Sequence, residues 1–381
     1  MSGVGPDPVR LLVGALRIYS PTAQEGRMAS YLCTQMKLLG YKRVRVDSAG
    51  NAIGEIGSGT TKVLLCGHMD TVPGRLPVKR EGDMVFGRGA ADAKSPLCAL
   101  LLAGSRARDA GVHLTFVGAT REEGDSLGIQ TIIRSGKKYD YAAFGEPSGA
   151  NRVTIGYRGR VSMRVRIETE GGHAGSPWAH VSAVDEFYSV LGALRRYAEG
   201  RRVAEDRFRS LSVSPTLVAA GSYHNVIPPV CRATFDVRLP PGASITEVKT
   251  RLRRAASESV RGKTSVTVDF DEATEPYEAD PNSILVRSFQ RAILIKLKSR
   301  PVFVRKTGTG DMNTLASATG AQCVTYGPAD SQLSHTDEEA VSVKDYLNSV
   351  EVLVEAIKQL GTLRGRARAQ SRLPQATQTQ N

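Results

Sequence analysis

In LLCGHMDTVPG, His68 and Asp70 stand one residue apart directly after an apolar run. Glu122 and Glu123 follow HLTFVGATR, Glu146 follows YAAF in FGEPSG, and His335 lies in SHTDEE beyond CVTYG. Asp92 sits in GRGAADAKS, ahead of an apolar helical pattern. Two imidazoles among several carboxylates make an oxygen-rich, borderline donor set suited to zinc or cobalt, and so many acids at one place need a cation. One carboxylate can bridge two metals about 3.5 to 4 Å apart, which polarise a scissile carbonyl and activate water, and a further carboxylate must then act as general base. The adjacent glutamates supply both a ligand and a base. Each piece alone has a bland reading: H-x-D as a solvated turn, the Glu pair as acids at a helix start, His335 as part of a cap on the last helix. At successive strand ends, together, they point to a metallohydrolase.

Every one of these clusters falls beyond the carboxyl end of an expected central strand, the edge at which open α/β sheets place their sites. Helices are expected over 9–19 and 25–39, strands over 43–46 and 62–66, a buried helix over 95–107 with Pro96 in its first turn, and strands over 113–119 and 141–144. This rhythm predicts an α/β fold with a mostly parallel, helix-covered sheet. From Tyr157 the texture changes to alternating strands (VSMRVRIETE, 212–219 and CRATFDVRL) with helices over 182–199 and 245–260, a small α+β unit of its own. A helix over 283–297 and a strand over 322–326 return to the first style. The expected organisation is a catalytic domain over 1–156 and 273–362, an inserted domain over 157–272, and a disordered basic tail over 363–381.

The 381 residues have the length of about two domains and no excess of glycine, proline or cysteine that would mark a fibrous or disulfide-stapled chain. Five scattered cysteines without a C-x-x-C pair suggest neither a disulfide framework nor a thiolate zinc knuckle. The amino terminus lacks an apolar signal core and no apolar run nears the roughly 20 residues of a membrane helix, so a soluble, cytoplasmic protein is expected. Charge is more informative: 51 Lys and Arg against 38 Asp and Glu give +13, and removing Arg364, Arg366, Arg368 and Arg372 of the closing segment still leaves +9. Such a surface leaves nucleic acid, anionic membrane and acidic proteins open as partners.

GHMDTVPG, FGRGAADAKS, TREEGDS, FGEPSG and SHTDEE occur in the order and spacing of the M20 family of dinuclear zinc peptidases and amidohydrolases, which the sequence resembles over about residues 8 to 360. The resemblance implies a zinc-peptidase-like catalytic fold and two Zn2+ ions, with Co2+ as a possible substitute. It implies that His68, Asp92 and Glu146 hold one ion and that His335, Asp92 and Glu123 hold the other, Asp92 bridging. Glu122 is then the general base and Asp70 the carboxylate that orients His68. The inserted domain resembles the family's dimerisation or lid domain, in which His173 of GGHAGSP would serve the active site of the other subunit of a homodimer by stabilising the tetrahedral oxyanion. The bland alternative for His173 is a turn histidine among glycines. Asn225 in HNVIPP and Arg238 in FDVRLPPG match positions that bind the substrate's α-carboxylate and neighbouring groups, a task that suits a bidentate arginine. His113, His180 and His224 match no ligand position. Ser95 stands where glycine is common, Ser182 where many relatives have Asn, and Ala93 where a polar residue is usual; none of these removes a metal ligand.

GEPSG followed by IGYRGR, and KTGTGDMN at 306–313, resemble most the branch of the family that acts in lysine and arginine synthesis on an acidic amino-group carrier protein bearing lysine or ornithine. In that branch the amino acid hangs by its α-amino group from the side chain of the carrier's terminal glutamate, and the enzyme cuts that amide. The resemblance places Arg238, Lys306 and Thr309 against the released amino acid and gives the basic surface a purpose, with Arg158 and Arg160 either carrier contacts or simply exposed strand charges. The competing readings are a small-molecule N-acyl amino acid deacylase of the acetylornithine or succinyl-diaminopimelate type, or a carboxypeptidase, none of which needs a basic docking surface. A nucleic-acid binder is suggested by charge alone and has no reading module; a non-catalytic metal-binding regulator would leave Glu122 unexplained. Neither nucleic acid nor membrane is an expected partner. Lysine and ornithine are not separated by the sequence.

Overall fold

In Thr61–His68 only Lys62 is exposed. Val63, Leu64, Leu65 and Cys66 put apolar groups on both faces, which suits a strand inside a sheet covered on both sides. The computed structural model, which describes residues 6–370, places it there. Val112–Ala119 flanks it on one side and Tyr141–Gly145 on the other, both parallel, and Gln322–Tyr326 lies parallel beside Tyr141–Gly145. Antiparallel strands extend the sheet, among them Ala52–Ile56 on Val112–Ala119 with Lys42–Val46 outside it, and Arg152–Tyr157 against Gln322–Tyr326 through Thr154 and Thr325.

Register sets His68 beside Ala119, Gly67 beside Gly145, and Gly145 beside Tyr326. The four parallel strands therefore end level, and the segments that carry Asp70, Glu122, Glu123, Glu146 and His335 leave from one edge. Helix Lys94–Arg106 crosses close to this edge, with every residue but its last buried. Its approach demands glycines: a Cβ at Gly67 would lie 3.1 Å from Leu97 Cδ1, and one at Gly145 would lie 2.8 Å from Leu100 Cδ1.

The chain divides into two compact units. One comprises the described parts of Met1–Ile155, Ala279–Val304 and Thr314–Asn381, and the other comprises Gly156–Glu278 with Arg305–Asn313. The whole KTGTGDMN segment thus belongs to the second unit, although the sequence reading assigns it to the first domain. The last helix runs Val343–Gln370, past residue 363 where the sequence reading begins a disordered tail. Leu363, Arg364, Arg366, Ala367, Arg368, Ala369 and Gln370 are good helix formers that extend the preceding periodicity. The remainder of that predicted tail, 371–381, lies outside the described residues.

The second unit is a four-stranded antiparallel sheet in the order Ser212–Ala220, Val230–Leu239, Gly159–Glu168, Ser265–Thr274. Burial alternates strictly along Gly159–Glu168, as expected for a sheet with one dry face. Val161, Met163, Val165 and Ile167 pack with Phe235 under Phe187 and Leu194 of helix Ala183–Glu199 and Leu252 of helix Ile245–Ser257. Ser182 caps the first of these helices, its hydroxyl accepting from the amides of Val184 and Asp185. A two-residue ladder, Gly172–His173 with Val226–Ile227, stands apart from the sheet.

Candidate metal centre

At the level edge of the parallel strands, His68 is buried at the end of its strand. Its Nδ1 donates to the backbone carbonyl of Asp70 at 2.8 Å, which fixes the tautomer and leaves Nε2 as the lone-pair nitrogen. Nε2 lies 3.1 Å from Asp92 Oδ1 and 3.9 Å from Glu146 Oε1. The other oxygen of Asp92 lies 3.6 Å from His335 Nε2, which is itself 2.7 Å from Glu123 Oε1. The two oxygens of one carboxylate thus face two different imidazoles, each with a second carboxylate beside it. His68, Asp92 and Glu123 offer ligand atoms that all lie within 4.8 Å of one another. Arg121 and His335, in the loops that deliver the outer ligands, take φ of 61° and 65°, a strained region for residues with a Cβ.

The electrostatics of the cluster call for positive charge. Burial pushes the His68 imidazole toward neutrality, yet hydrogen bonds to Asp70 and Asp92 and the charges of Glu146 and Glu122 outweigh it and hold its pKa well above the ordinary value. Burial also raises Glu123, with Asp92 adding to the rise against the lowering influence of His68 and His335. Asp92 is raised by burial but lowered more by His68 and the groups around it, so it stays ionised. Nitrogen and oxygen donors arranged this way, short of positive charge, fit divalent cations.

Asp70 stands beside His68 and has further partners. Its carboxylate is 3.5 Å from His68 Nδ1, farther than its own carbonyl. Its oxygens also accept the backbone amides of Glu122 and Glu123, both at 3.1 Å, and the Thr22 hydroxyl at 2.9 Å. Burial raises this carboxyl, but His68 and these donors more than offset it and hold it below the usual carboxylate range. The physical reason is local: after the strand the backbone turns, so the carbonyl reaches the adjacent ring while the side chain reaches the next strand's loop. Glu339, absent from the expected site, plays the matching part for Asp92. Its Oε1 accepts the amides of Ala91 and Asp92 at 3.0 and 2.8 Å, and its Oε2 accepts from buried Arg88 at 3.1 Å. The only signal for it in the sequence is its place in the acidic run of SHTDEE.

The remaining expected residues belong to the second unit. His173 is exposed, pairs with Val226, and its Nδ1 accepts the Gly175 amide at 3.0 Å, while the Ala174 amide donates to the Asn225 carbonyl at 3.0 Å. His173 and Asn225 are therefore neighbours. Arg238 donates to both oxygens of Asp236, at 2.6 and 3.2 Å, and lies 3.5 Å from the Thr309 hydroxyl. The Lys306 ammonium stands 5.9 Å from the centre of the Tyr157 ring. Arg158 is not the exposed strand charge that the sequence allows as the alternative to a carrier contact. It is buried in the link between Arg152–Tyr157 and Gly159–Glu168, and donates to the carbonyls of Thr307 and Ser210 and to the Ser212 hydroxyl. Arg160 is paired with Asp236 at 2.8 Å. Of the histidines set aside, His113 lies 3.6 Å from Glu55 and His180 packs on Gly172.

A family model described as peptidase family M20/M25/M40 matches residues 64–359. The chain is 36% identical to a putative LysW-lysine/LysW-ornithine hydrolase of Pyrobaculum aerophilum, covering 94% of this chain and 98% of the relative. It is 32% identical to a LysW-lysine hydrolase of Deinococcus radiodurans, over 92% of this chain and 96% of that one. Among solved structures it resembles a Staphylococcus aureus tripeptidase (TM-score 0.77, 19% identity, 94% of this chain and 100% of that one). An M20 family metallo-carboxypeptidase of Sulfolobus solfataricus is similar too (TM-score 0.75, 16% identity, 94% and 100%). These structural likenesses speak for the fold.

Proposed function

This chain belongs to peptidase family M20/M25/M40, and from that premise we propose that it is a two-metal amide hydrolase that releases lysine, ornithine or both from an amino-group carrier protein by cleaving the amide to the carrier's terminal glutamate side chain. The observation that carries the chemistry is Asp92, whose two oxygens face His68 and His335. The substrate class rests on the full-length similarity to hydrolases named for LysW-bound lysine and ornithine.

In this reading His68, Asp92 and Glu146 hold one cation and His335, Asp92 and Glu123 the other. Zinc is the metal that the donor set favours, with cobalt able to replace it. Divalent cations there would supply the positive charge that polarises the amide carbonyl and acidifies water. Glu122 takes the proton of the attacking water and delivers it to the departing α-amino nitrogen as the C–N bond breaks. Asp70 keeps the Glu122–Glu123 turn in place through its two amides. His173 Nδ1 accepts a hydrogen bond from the Gly175 amide, so the neutral ring carries its hydrogen on Nε2 and can donate it to the oxyanion. Arg238, Thr309, Asn225 and Lys306 receive the amino acid, and Arg158 serves by holding the Thr307 backbone.

The active form in this proposal is a homodimer in which His173 of one subunit serves the centre of the other. The outer strand Ser212–Ala220 supports it: one side of its ladder is open, and Leu217 and Val218 on it are 68% and 52% exposed. No helix among the described residues is long and apolar enough to cross a membrane. We place the enzyme in the cytoplasm beside its carrier, and the +13 net charge favours an acidic one.

The test compares carrier-bound lysine, carrier-bound ornithine and free N-acetylornithine as substrates. Carrier-bound substrate is expected to be cleaved with the higher kcat/KM, with a steep decline as salt rises. Chelation should abolish turnover and zinc or cobalt restore it, and Glu122→Gln should retain metal while losing about 10² to 10⁴ in kcat. Equal efficiency on all three substrates, without a salt effect on the carrier-bound ones, overturns the carrier reading in favour of a small-molecule deacylase.

A further inference from the structure

Lys94 is not used by the chemistry above, yet it is 1% exposed. Its ammonium donates to the Ile18 carbonyl at 2.5 Å, and the other described side chains offer it no hydrogen-bond acceptor. A buried ammonium with two donors left over is costly unless something accepts from them. Independently, Thr71 is 1% exposed and its hydroxyl makes no hydrogen bond at all. The two side chains converge on Gly89, where a Cβ would come 2.9 Å from Lys94 Cδ and 3.2 Å from Thr71 Cγ2. Gly89 has a φ of +90°, so no ordinary residue would fit there in either respect.

Both line a cavity of about 270 Å3, open at one side, in the first unit. Its wall carries four cations, Lys94, Arg88, Arg75 and Arg17, and not one carboxylate. Arg75 is braced over the Tyr19 ring at 4.3 Å. Arg88 spends its Nε and Nη1 on Gly74, Thr336 and Glu339, but its Nη2 has only the exposed Asp337 at 3.5 Å. Leu16, Ile18, Leu76 and Val78 give the wall its aliphatic part, beside Tyr19 and Thr71. Cationic donors around an unpaired hydroxyl, with an apolar lining, are complementary to a small anion that carries a short hydrocarbon tail.

We propose that this cavity is a binding site for a small aliphatic monocarboxylate, distinct from the metal centre and held by Lys94, Arg88 and Thr71. Such an anion braces the centre from behind. Thr71 follows Asp70 in the chain, Lys94 comes two residues after Asp92, and Arg88 holds the Glu339 that fixes the Asp92 amide.

The probe is sodium propionate, titrated calorimetrically into metal-loaded protein at constant ionic strength set with sodium chloride. One saturable site per chain is expected, with a thermal midpoint that climbs as propionate is added. Thr71→Val should weaken the affinity about tenfold, and Leu76→Trp, which fills the cavity without touching a metal ligand, should abolish the binding while thermal unfolding remains cooperative. Absence of saturable uptake by the unmodified protein overturns the proposal. So does uptake that persists undiminished in both variants, because the propionate would then be seated elsewhere, such as on the metals. Neither readout involves substrate turnover, so the outcome is independent of the carrier reading.

Discussion

Replacing Asp70 by asparagine tests how the centre is built. The carboxylate is fully buried, and its two oxygens each take one backbone amide of the Glu122–Glu123 pair. In Asp70→Asn one of those oxygens becomes an NH2 group, so one amide of the pair faces a donor whichever way the side chain flips. A hydrogen bond to a charged acceptor is worth about 1.5 to 3 kcal/mol, so the variant should lose about 2 to 3 kcal/mol of stability in urea titration. The chemical effect should be selective. The His68 tautomer is fixed by the Asp70 carbonyl at 2.8 Å, which asparagine keeps, whereas the Glu pair loses its anchor. Loss of such an outer partner typically weakens metal binding 10- to 100-fold. The loss should fall on the ion held by Glu123 and His335, together with a drop in kcat through Glu122. The decisive measurement uses a His335→Ala background, which keeps only the His68, Asp92 and Glu146 set, and compares zinc affinity with and without Asp70→Asn by competition with a chromogenic chelator. An affinity changed less than about threefold is expected. A 10-fold or greater fall in that background would refute the reasoning and return the carboxylate to the service of His68.

Zinc loading of chelator-treated protein should release protons near neutral pH, because His68 is held protonated above its usual range and must lose its Nε2 proton to ligate; calorimetry in buffers of differing ionisation enthalpy measures it, and zero net release contradicts the assignment of His68. Glu339→Ala strands buried Arg88 and two amides, so a stability loss of about 3 to 5 kcal/mol is expected in urea, and a loss under about 1 kcal/mol would show that Glu339 does not support Asp92. Burial pushes the Lys94 ammonium down to about 8. Between that pH and the unfolded value of about 10.4 the unfolded chain binds more protons, so stability in carboxylate-free buffer should rise with pH, by up to about 3 kcal/mol. Lys94→Met should flatten that rise, and an identical pH dependence in the variant disproves the attribution. Asp70, held below the ordinary carboxylate value, stabilises the fold above that value and stops doing so as pH falls through its lowered pKa. The acid limb of the stability curve should therefore be shallower in Asp70→Asn, and an unchanged limb counts against it.

The sequence alone determined which edge of the sheet the candidate metal ligands had to occupy. An apolar run such as VLLC can only be an interior strand, and a polar cluster directly after it must sit at the sheet's edge; His68, Glu122, Glu123 and Glu146 repeat that pattern, and parallel register makes their edges coincide. The α+β character of the second unit was legible for the same reason, since VSMRVRIETE alternates with the period of two that one dry face imposes. Element ends were less legible: helix Lys94–Arg106 begins one residue before its expected start, and Val343–Gln370 runs into the segment read as a tail from 363. What only the tertiary structure decided is which atom each polar group spends itself on. Asp70 turns its carbonyl to His68 and its carboxylate to the Glu pair, 52 and 53 residues away. Glu339 fixes an amide 247 residues away, and Arg158, which reads in the sequence as one more strand charge, is buried against a segment 149 residues further on. Lys94 meets Thr71, 23 residues before it in the chain, over Gly89. Periodicity reports the face on which a side chain lies. Partners that close loops of this length are chosen by packing between strands and helices, and no local pattern in the chain carries that choice.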